Sequence, residues 1–465
     1  MKKNRHILAC SMVAVLLLLP LTAIAGPAED FEEAQLLYLT TAASFAAYSG
    51  GDGDIARGAM KRIGWQIVPD IQKDEPGPSK FFFARKETPS SQVEYLLAIA
   101  GTSTYKDVEL DFNVGKVFFA GKTFAEFAEN AKKKPEFPDK SPMVHKGFNQ
   151  YVQTAFGEDT ATPANEKPGR KIVQMLLAQP GRVVYLAGHS AGGAAATLLG
   201  ARLISMGVKP EQLKIVTLGA PAVGNATFAE KFSSDLNVLR VVVAGDPIPD
   251  LLKIFVRGYR QFGREILWKT SGYTFDEKHY PNIYMDCAIK NYYDKRAAAA
   301  ATGVTSAVVL NEKPPIDGKR LYIAEIKNVL PKGMIGEFSY MREVLLDQYR
   351  DTIPAYVIGE NDPNAALNFE ALRAKAAEAE CDRMVMVNIL GSKQDDPATF
   401  GGGLMTKPAE AYDLIMIEQT VFRVSDGVLL DGRTYQNGSK YFTPVGALAS
   451  AAVRVTSESA LWSGQ

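Results

Sequence analysis

One serine in this chain stands where a serine can attack. Ser190 is the centre of Gly188-His189-Ser190-Ala191-Gly192, within YLAGHSAGGAAATLLGARL (185–203). Glycine is common here, 39 of 465 residues, so the bare Gly-x-Ser-x-Gly spacing says little alone. Its setting says more. The apolar run RVVYLA leads straight into it and an alanine-rich helical stretch follows. The motif therefore sits at a strand-to-helix turn, where it has mechanical meaning. Such a turn needs small flanking residues, Gly188 and Gly192, and Gly193 to Ala196 let the helix close on the sheet. The Ala191 N–H opens that helix, where the dipole and unpaired N–H groups favour an oxyanion. The competing reading is a plain helix start with Ser190 as its capping residue.

A serine nucleophile needs a base, and the base needs an orienting acid. The chain has four histidines. His6 lies in an N-terminal leader. His189 adjoins the nucleophile and at a tight turn points elsewhere, to pack or to donate a hydrogen bond. His145 precedes the serine. In sheets of this kind the chain order is serine, acid, histidine, which selects His279 in FDEKHYPNIY over its reading as a surface residue of a polar loop. The acid is expected between them, at a strand's C-terminal end. VLRVVVAGDPIPDLL supplies Asp246, directly after the strand, with Pro247 blocking continuation of the ladder. Asp250 is the second candidate, and a plain turn aspartate before proline is the ordinary alternative.

The elements that must hold these groups are legible as alternating strands and helices. Residues 29–48 read as a helix stopped by Gly50-Gly51. FFFAR (81–85) and VEYLLAIAG (93–101) read as strands. KVFFAGKTFAEFAENAKKK gives a strand or loop and then a short amphipathic helix. VHKGFNQYVQTAF and RKIVQMLLAQ look helical. RVVYLAG, KIVTLGA and VLRVVVAG are continuous apolar strands, and the helix after Ser190 is ended by Gly207. That alternation predicts a largely parallel sheet covered by helices. Beyond residue 300 the texture changes. RLYIAEIKNVL reads as a strand, EFSYMREVLLDQYRDT as a helix, AYVIGE as a strand, NAALNFEALRAKAAEAE as a helix and DRMVMVNIL as a strand. AYDLIMIEQTVFRVSDGVLLDGRTYQ reads as a hairpin turning at Ser425-Asp426-Gly427.

Length sets two domains as the first expectation. Lys2, Lys3 and Arg5 precede an apolar stretch ending in Ala23-Ile24-Ala25, which reads as a signal peptide over 1–25, with an uncleaved membrane anchor as the alternative. The division expected is then a catalytic domain over 26–302, a linker over 303–318 and a smaller α/β domain over 319–465. Fifty-two basic and 52 acidic residues leave no net charge, so nothing points to nucleic acid. Cys287 and Cys381 fall in different halves, and either a bridge or two buried thiols is consistent with export.

Six stretches together resemble the class 3 lipases, the fungal triacylglycerol-lipase family. They are IAGTSTYKDVELDF (99–112), VHKGFNQYV (144–152), VYLAGHSAGGAAATLLGARL (184–203), VTLGAPAVGN (216–225), VVVAGDPIPDLL (241–252) and REILW (264–268). The resemblance implies an α/β-hydrolase fold, Ser190 as nucleophile, Asp246 as acid and His279 as base. It also implies an oxyanion hole from Thr102 and Ala191. Ala100 stands where the family often has Arg, Val108 where it has Trp, and Gln261 where a non-catalytic histidine is common. His145 matches a family position without a catalytic role and is read as structural.

The implied reaction is hydrolysis of lipid acyl esters, triacylglycerol or phospholipid, through an acyl-enzyme that needs no metal or cofactor. Between Thr102 and His145 the family keeps its lid. Here Phe118, Phe119, Phe124 and Phe127 stand near Lys132-Lys133-Lys134. The region 104–141 is expected either to touch an anionic lipid surface or simply to cover the sheet. The C-terminal domain faintly resembles envelope-associated α/β domains of bacterial outer-membrane assembly proteins, which implies an envelope partner. Localisation is then periplasmic, outer-membrane-associated or secreted. The non-enzymatic alternative is an envelope-binding protein on an inactive lipase-like scaffold.

Overall fold

The computed structural model describes residues 26–48, 53–62, 64–68, 81–88, 93–101, 115–157, 168–178, 182–255, 258–275, 277–360, 362–395, 411–438, 442–458 and 461–462. The leader expected over 1–25 and Thr102 lie outside them. Two helices open the described chain, α1 (Pro27–Tyr48) and α2 (Asp54–Arg62). The first sheet runs β1 (Gln66–Ile67), β2 (Phe81–Glu87), β3 (Val93–Ile99), β6 (Val183–His189), β7 (Leu213–Leu218), β8 (Asn237–Val243) and β9 (Arg264–Trp268). β1, β2 and β3 pair antiparallel, and from β3 to β9 every pairing is parallel. A separate ribbon joins β4 (Lys116–Phe118) to β5 (Met143–His145). The helices between are α3 (Phe124–Asn130), α4 (Lys146–Phe156), α5 (Pro168–Ala178), α6 (Ala191–Ser205), α7 (Ala226–Phe232), α8 (Ile248–Phe255) and α9 (Pro281–Ala301).

The central parallel strands are mostly apolar because both faces are covered, and period-two alternation sorts their side chains into two cores. Val184, Leu186 and Ile215 pack with α4 and α6. Ala187, Val216, Leu218, Val241 and Val243 pack with α1 and α9 on the other face.

The second core does not stop there. It continues into Leu321, Ile323, Val385, Ile415, Val445 and Leu448 of the C-terminal region. That region is a second sheet in the order β10 (Glu312–Lys313), β13 (Tyr356–Ile358), β11 (Leu321–Ile323), β14 (Arg383–Asp395), β15 (Ala411–Arg423) and β16 (Leu429–Gly438), with β12 (Lys327–Val329) beside β14. Its helices are α10 (Phe338–Thr352), α11 (Phe369–Glu378) and α12 (Pro444–Glu458). Glu312–Lys313, in the stretch expected as linker, is already an edge strand of this sheet. RLYIAEIKNVL is two strands rather than one. Between Ile323 and Lys327 it takes four steps against three on β14, a bulge. Buried Glu325 sits in that bulge, held by Arg342 at 2.7 and 3.0 Å. Cys287 and Cys381 are both buried and unbridged.

Candidate active site

β6 ends at His189 and α6 begins at Ala191. Ser190 between them has φ 57° and ψ −128°, a sparsely populated region for a residue with a Cβ. The strain is held by main-chain bonds: its N–H donates to Leu218 O at 2.8 Å, and its carbonyl accepts from Gly193 and Ala194 N–H at 3.0 and 3.2 Å. The flanking glycines are sterically required. A Cβ on Gly192 would lie 2.0 Å from Ile99 O, and one on Gly188 2.3 Å from the Gly192 carbonyl carbon. The Ser190 side chain makes no capping bond. Its Oγ lies 2.9 Å from His279 Nε2 instead, so Ser190 is not acting as a capping residue.

His279 Nδ1 lies 3.0 and 2.9 Å from the two carboxylate oxygens of Asp246. A carboxylate only accepts, so Nδ1 carries the proton and Nε2 is left to accept from the serine hydroxyl. The three side chains come from the elbow, the turn after β8 and a short turn before α9. Ser190, Asp246 and His279 are 3, 8 and 5% exposed, so their interaction takes place largely out of water. Asp250, the other candidate acid, is exposed on α8.

Asp246 has further donors that sequence reading did not find. Ile248 N–H donates to Oδ1 at 2.9 Å and the Tyr284 hydroxyl to Oδ2 at 2.5 Å. Tyr284 in turn accepts from Val243 N–H at 3.1 Å. Burial, then the adjoining Asp246 carboxylate, hold the Tyr284 phenol well above its ordinary pKa, so it remains a donor. Gly219, after β7, has φ 57°, and a Cβ there would come within 2.6 Å of Asp246 Oδ2 and 2.8 Å of Tyr284 Oη. The only sequence signal for these was position: Tyr284 follows His279 by five residues, and Gly219 ends a predicted strand.

Ala191 is the first residue of α6, so its N–H has no intrahelical acceptor and lies beside Ser190. Thr102 lies outside the described residues. The adjoining strand end is anchored by the Tyr151 hydroxyl, 3.0 Å from Ala100 O. Gln261 ties two neighbouring segments, donating to Ala220 O at 3.1 Å and Pro249 O at 3.2 Å.

The aromatic residues expected on a lid are largely core. Phe119, Phe124 and Phe127 are buried. The Phe119 ring lies 4.7 Å from Phe127, 5.2 Å from Phe228 and 5.7 Å from Phe232. The Arg202 guanidinium covers the rings of Phe124 and Phe127 at 5.0 and 5.1 Å. Helix α3 thus has no aromatic face to offer a membrane, because tertiary contacts consume it. Lys132 pairs with Glu129 and Lys133 bonds to Asn130 on the surface. Residues 102–114 of the same region lie outside the described residues.

His145 is the residue capping α4. Its Nδ1 accepts from Phe148 N–H at 3.4 Å, and its ring stacks on Phe148 at 4.2 Å. Burial lowers its pKa to about 4. The unfolded chain therefore binds the extra proton first, so stability is complete above about pH 6.5 and drains as pH falls toward 4. The loss from this group is expected to reach roughly 3 kcal/mol. Urea unfolding at pH 7 and pH 4 should show it, and His145→Gln should flatten that slope; an unchanged slope would contradict it.

Comparison with known proteins gives one family. Residues 97–255 match the class 3 lipases. A Caenorhabditis elegans protein named Lipase ZK262.3 is 41% identical over 70 residues, 15% of this chain. The chain spans a fifth of that relative's length. Among solved structures, a lipase from Rhizopus microsporus var. chinensis is similar at 23% identity and TM-score 0.38, covering 53% of this chain and 77% of its own. Lipase II from Rhizopus niveus is similar at 22% identity and TM-score 0.39, with 53% and 83% covered.

Proposed function

From a chain whose residues 97–255 match the class 3 lipases, we propose an exported serine carboxylic-ester hydrolase acting on lipid acyl esters, triacylglycerol or phospholipid. The observation that carries it is the unbroken run Ser190 Oγ, His279 Nε2, His279 Nδ1, Asp246 at 2.9–3.0 Å on a strained strand-to-helix elbow. Export rests on the basic N-terminus, apolar run and Ala23-Ile24-Ala25 alone.

In this reading His279 takes the Ser190 proton as Oγ attacks the ester carbonyl. The Ala191 N–H, with Thr102 as second donor, holds the oxyanion. Each such donor is typically worth about 3 kcal/mol of transition-state stabilisation. Asp246 stabilises the imidazolium, which then protonates the departing alcohol. Water, deprotonated by His279, repeats the attack on the acyl-serine and releases the acid.

The test is a p-nitrophenyl phosphonate, which mimics the tetrahedral intermediate, followed by peptide mass mapping. The full chain should be modified at Ser190 and should hydrolyse p-nitrophenyl palmitate, triolein or phosphatidylcholine better than a short soluble ester. Ser190→Ala should do neither. No labelling and no turnover, even on lipid emulsions, would favour the inactive envelope-binding scaffold.

A further inference from the structure

His189 takes no part in the proton path above, yet both of its ring nitrogens are engaged. Nε2 lies 2.7 Å from the main-chain carbonyl oxygen of His279, and Nδ1 lies 2.9 Å from Tyr48 Oη. A carbonyl only accepts, so Nε2 carries the proton. The neutral ring then accepts at Nδ1, and the Tyr48 hydroxyl is the donor. Tyr48 is the last residue of α1, and its oxygen takes a hydrogen bond from the Gly101 backbone. A chain of hydrogen bonds thus runs from the end of β3, through α1 and the elbow, to the main chain of His279.

We propose that Tyr48 and His189 are positioning residues for His279: Tyr48 fixes the His189 tautomer, and His189 pins the His279 main chain. The inference rests on the hydrolase reading. The His279 ring must stay in line with two partners at about 3 Å, and Asp246 holds only the ring. His279 itself ends a short turn between a loop and α9, so its main chain needs a separate anchor. A misplacement of about 1 Å between reacting groups costs on the order of 10²-fold in rate.

The arrangement also manages charge. The rings of His189 and His279 lie 4.6 Å apart, and His279 becomes cationic during the reaction. A protonated His189 would repel that cation. The groups around His189 are the Tyr48 phenol on α1, the Tyr284 phenol on α9, 5.4 Å away ring to ring, and His279 itself, with the Asp246 carboxylate beyond it. Burial first, and then the His279 charge, keep His189 well below the ordinary imidazole value. It therefore holds its single proton on Nε2, where the carbonyl needs it.

Three variants separate a positioning role from simple packing. His189→Phe keeps a ring and removes the donor. His189→Gln keeps a donor, and Tyr48→Phe keeps His189 but frees its tautomer. With p-nitrophenyl butyrate, His189→Phe should lose about 10- to 100-fold in kcat with KM nearly unchanged. His189→Gln should recover part of that loss, and Tyr48→Phe should lose several-fold. If His189→Phe does not fold, the other two carry the test. Nitrogen-15 NMR of labelled histidines should show His189 as the Nε2–H tautomer in the wild type and as a mixture in Tyr48→Phe. An active wild type with His189→Phe and His189→Gln equally active would overturn the inference. So would an Nδ1–H or cationic His189 at neutral pH. If the wild type neither hydrolyses esters nor takes the phosphonate, the hydrolase reading has failed, and the tautomer measurement still decides the arrangement.

Discussion

Asp246→Asn is expected to cut kcat on a p-nitrophenyl ester by about 10⁴-fold while the chain stays folded. The carboxylate accepts from Ile248 N–H on Oδ1, from Tyr284 on Oδ2 and from His279 Nδ1 on both. An asparagine must place its oxygen at the Oδ1 position, because the Ile248 N–H can only donate. Its amide then faces Tyr284, whose hydroxyl can turn and accept. The fold therefore tolerates the change, and what disappears is the charge beside the imidazolium. Two unit charges at 4 Å interact by about 4 kcal/mol at an effective dielectric of 20. A 10⁴-fold loss corresponds to about 5.5 kcal/mol of barrier. Charge thus supplies most of the effect and the His279 tautomer and orientation the rest. Steady-state kinetics on Asp246→Asn and Asp250→Asn decides it: the exposed Asp250 should change turnover less than twofold. Loss on Asp250→Asn with Asp246→Asn active would move the acid.

The three residues that the structure brings together, Ser190, His279 and Asp246, were legible because each sits in a local signal. The elbow is five consecutive residues after an apolar strand. Asp246 follows a strand and precedes a proline, and few histidines compete with His279. Of their supports, only His189 was expected to pack or donate a hydrogen bond, and neither its partners nor the other supports were legible. Tyr48 and His189 are 141 residues apart in sequence, and Tyr284 and Asp246 are 38 apart. Only the packing of α1 and α9 on one sheet face brings these groups together. The aromatic residues of 118–127 looked amphipathic because lysines follow them. Phe119 is buried against Phe228 and Phe232, a hundred residues on, and Phe124 and Phe127 lie under Arg202, which no local pattern signals. Pro444–Glu458 gave no expectation, since its small apolar residues lack a polar face at helical spacing. In the structure that helix lies between α2, α10 and the second sheet, with Val445, Leu448, Ala452 and Val455 fully buried.

Asp347→Ala is expected to destabilise the whole chain by about 3 kcal/mol, and to do so in the half that holds Ser190 as well as in its own. Asp347 lies on α10 and accepts from Tyr293, from Arg296 at 2.9 and 2.8 Å, and from Arg350 at 2.9 Å. Arg296 is largely buried, and of the two carboxylates paired with it among the described residues Glu343, at 2.7 Å, would remain. Removing one partner of a buried ion pair leaves a charge in low dielectric, which costs more than the pair itself gains. Tyr293 and Arg296 lie on α9, the helix that also carries Tyr284 to Asp246. Lys290 of α9 pairs with Glu337 at 2.8 Å, and Thr443 bonds to Asp286 at 3.3 Å, so the same helix meets the C-terminal region at several points. One hydrophobic core runs through both sheets, so the two are expected to unfold together. Urea unfolding followed by tryptophan fluorescence and by phosphonate capture at Ser190 should therefore give one coincident transition, shifted to lower urea in Asp347→Ala. Two separate transitions, with Ser190 still reactive after the C-terminal sheet has unfolded, would mean the second sheet is an independent appendage and not part of the frame that holds His279.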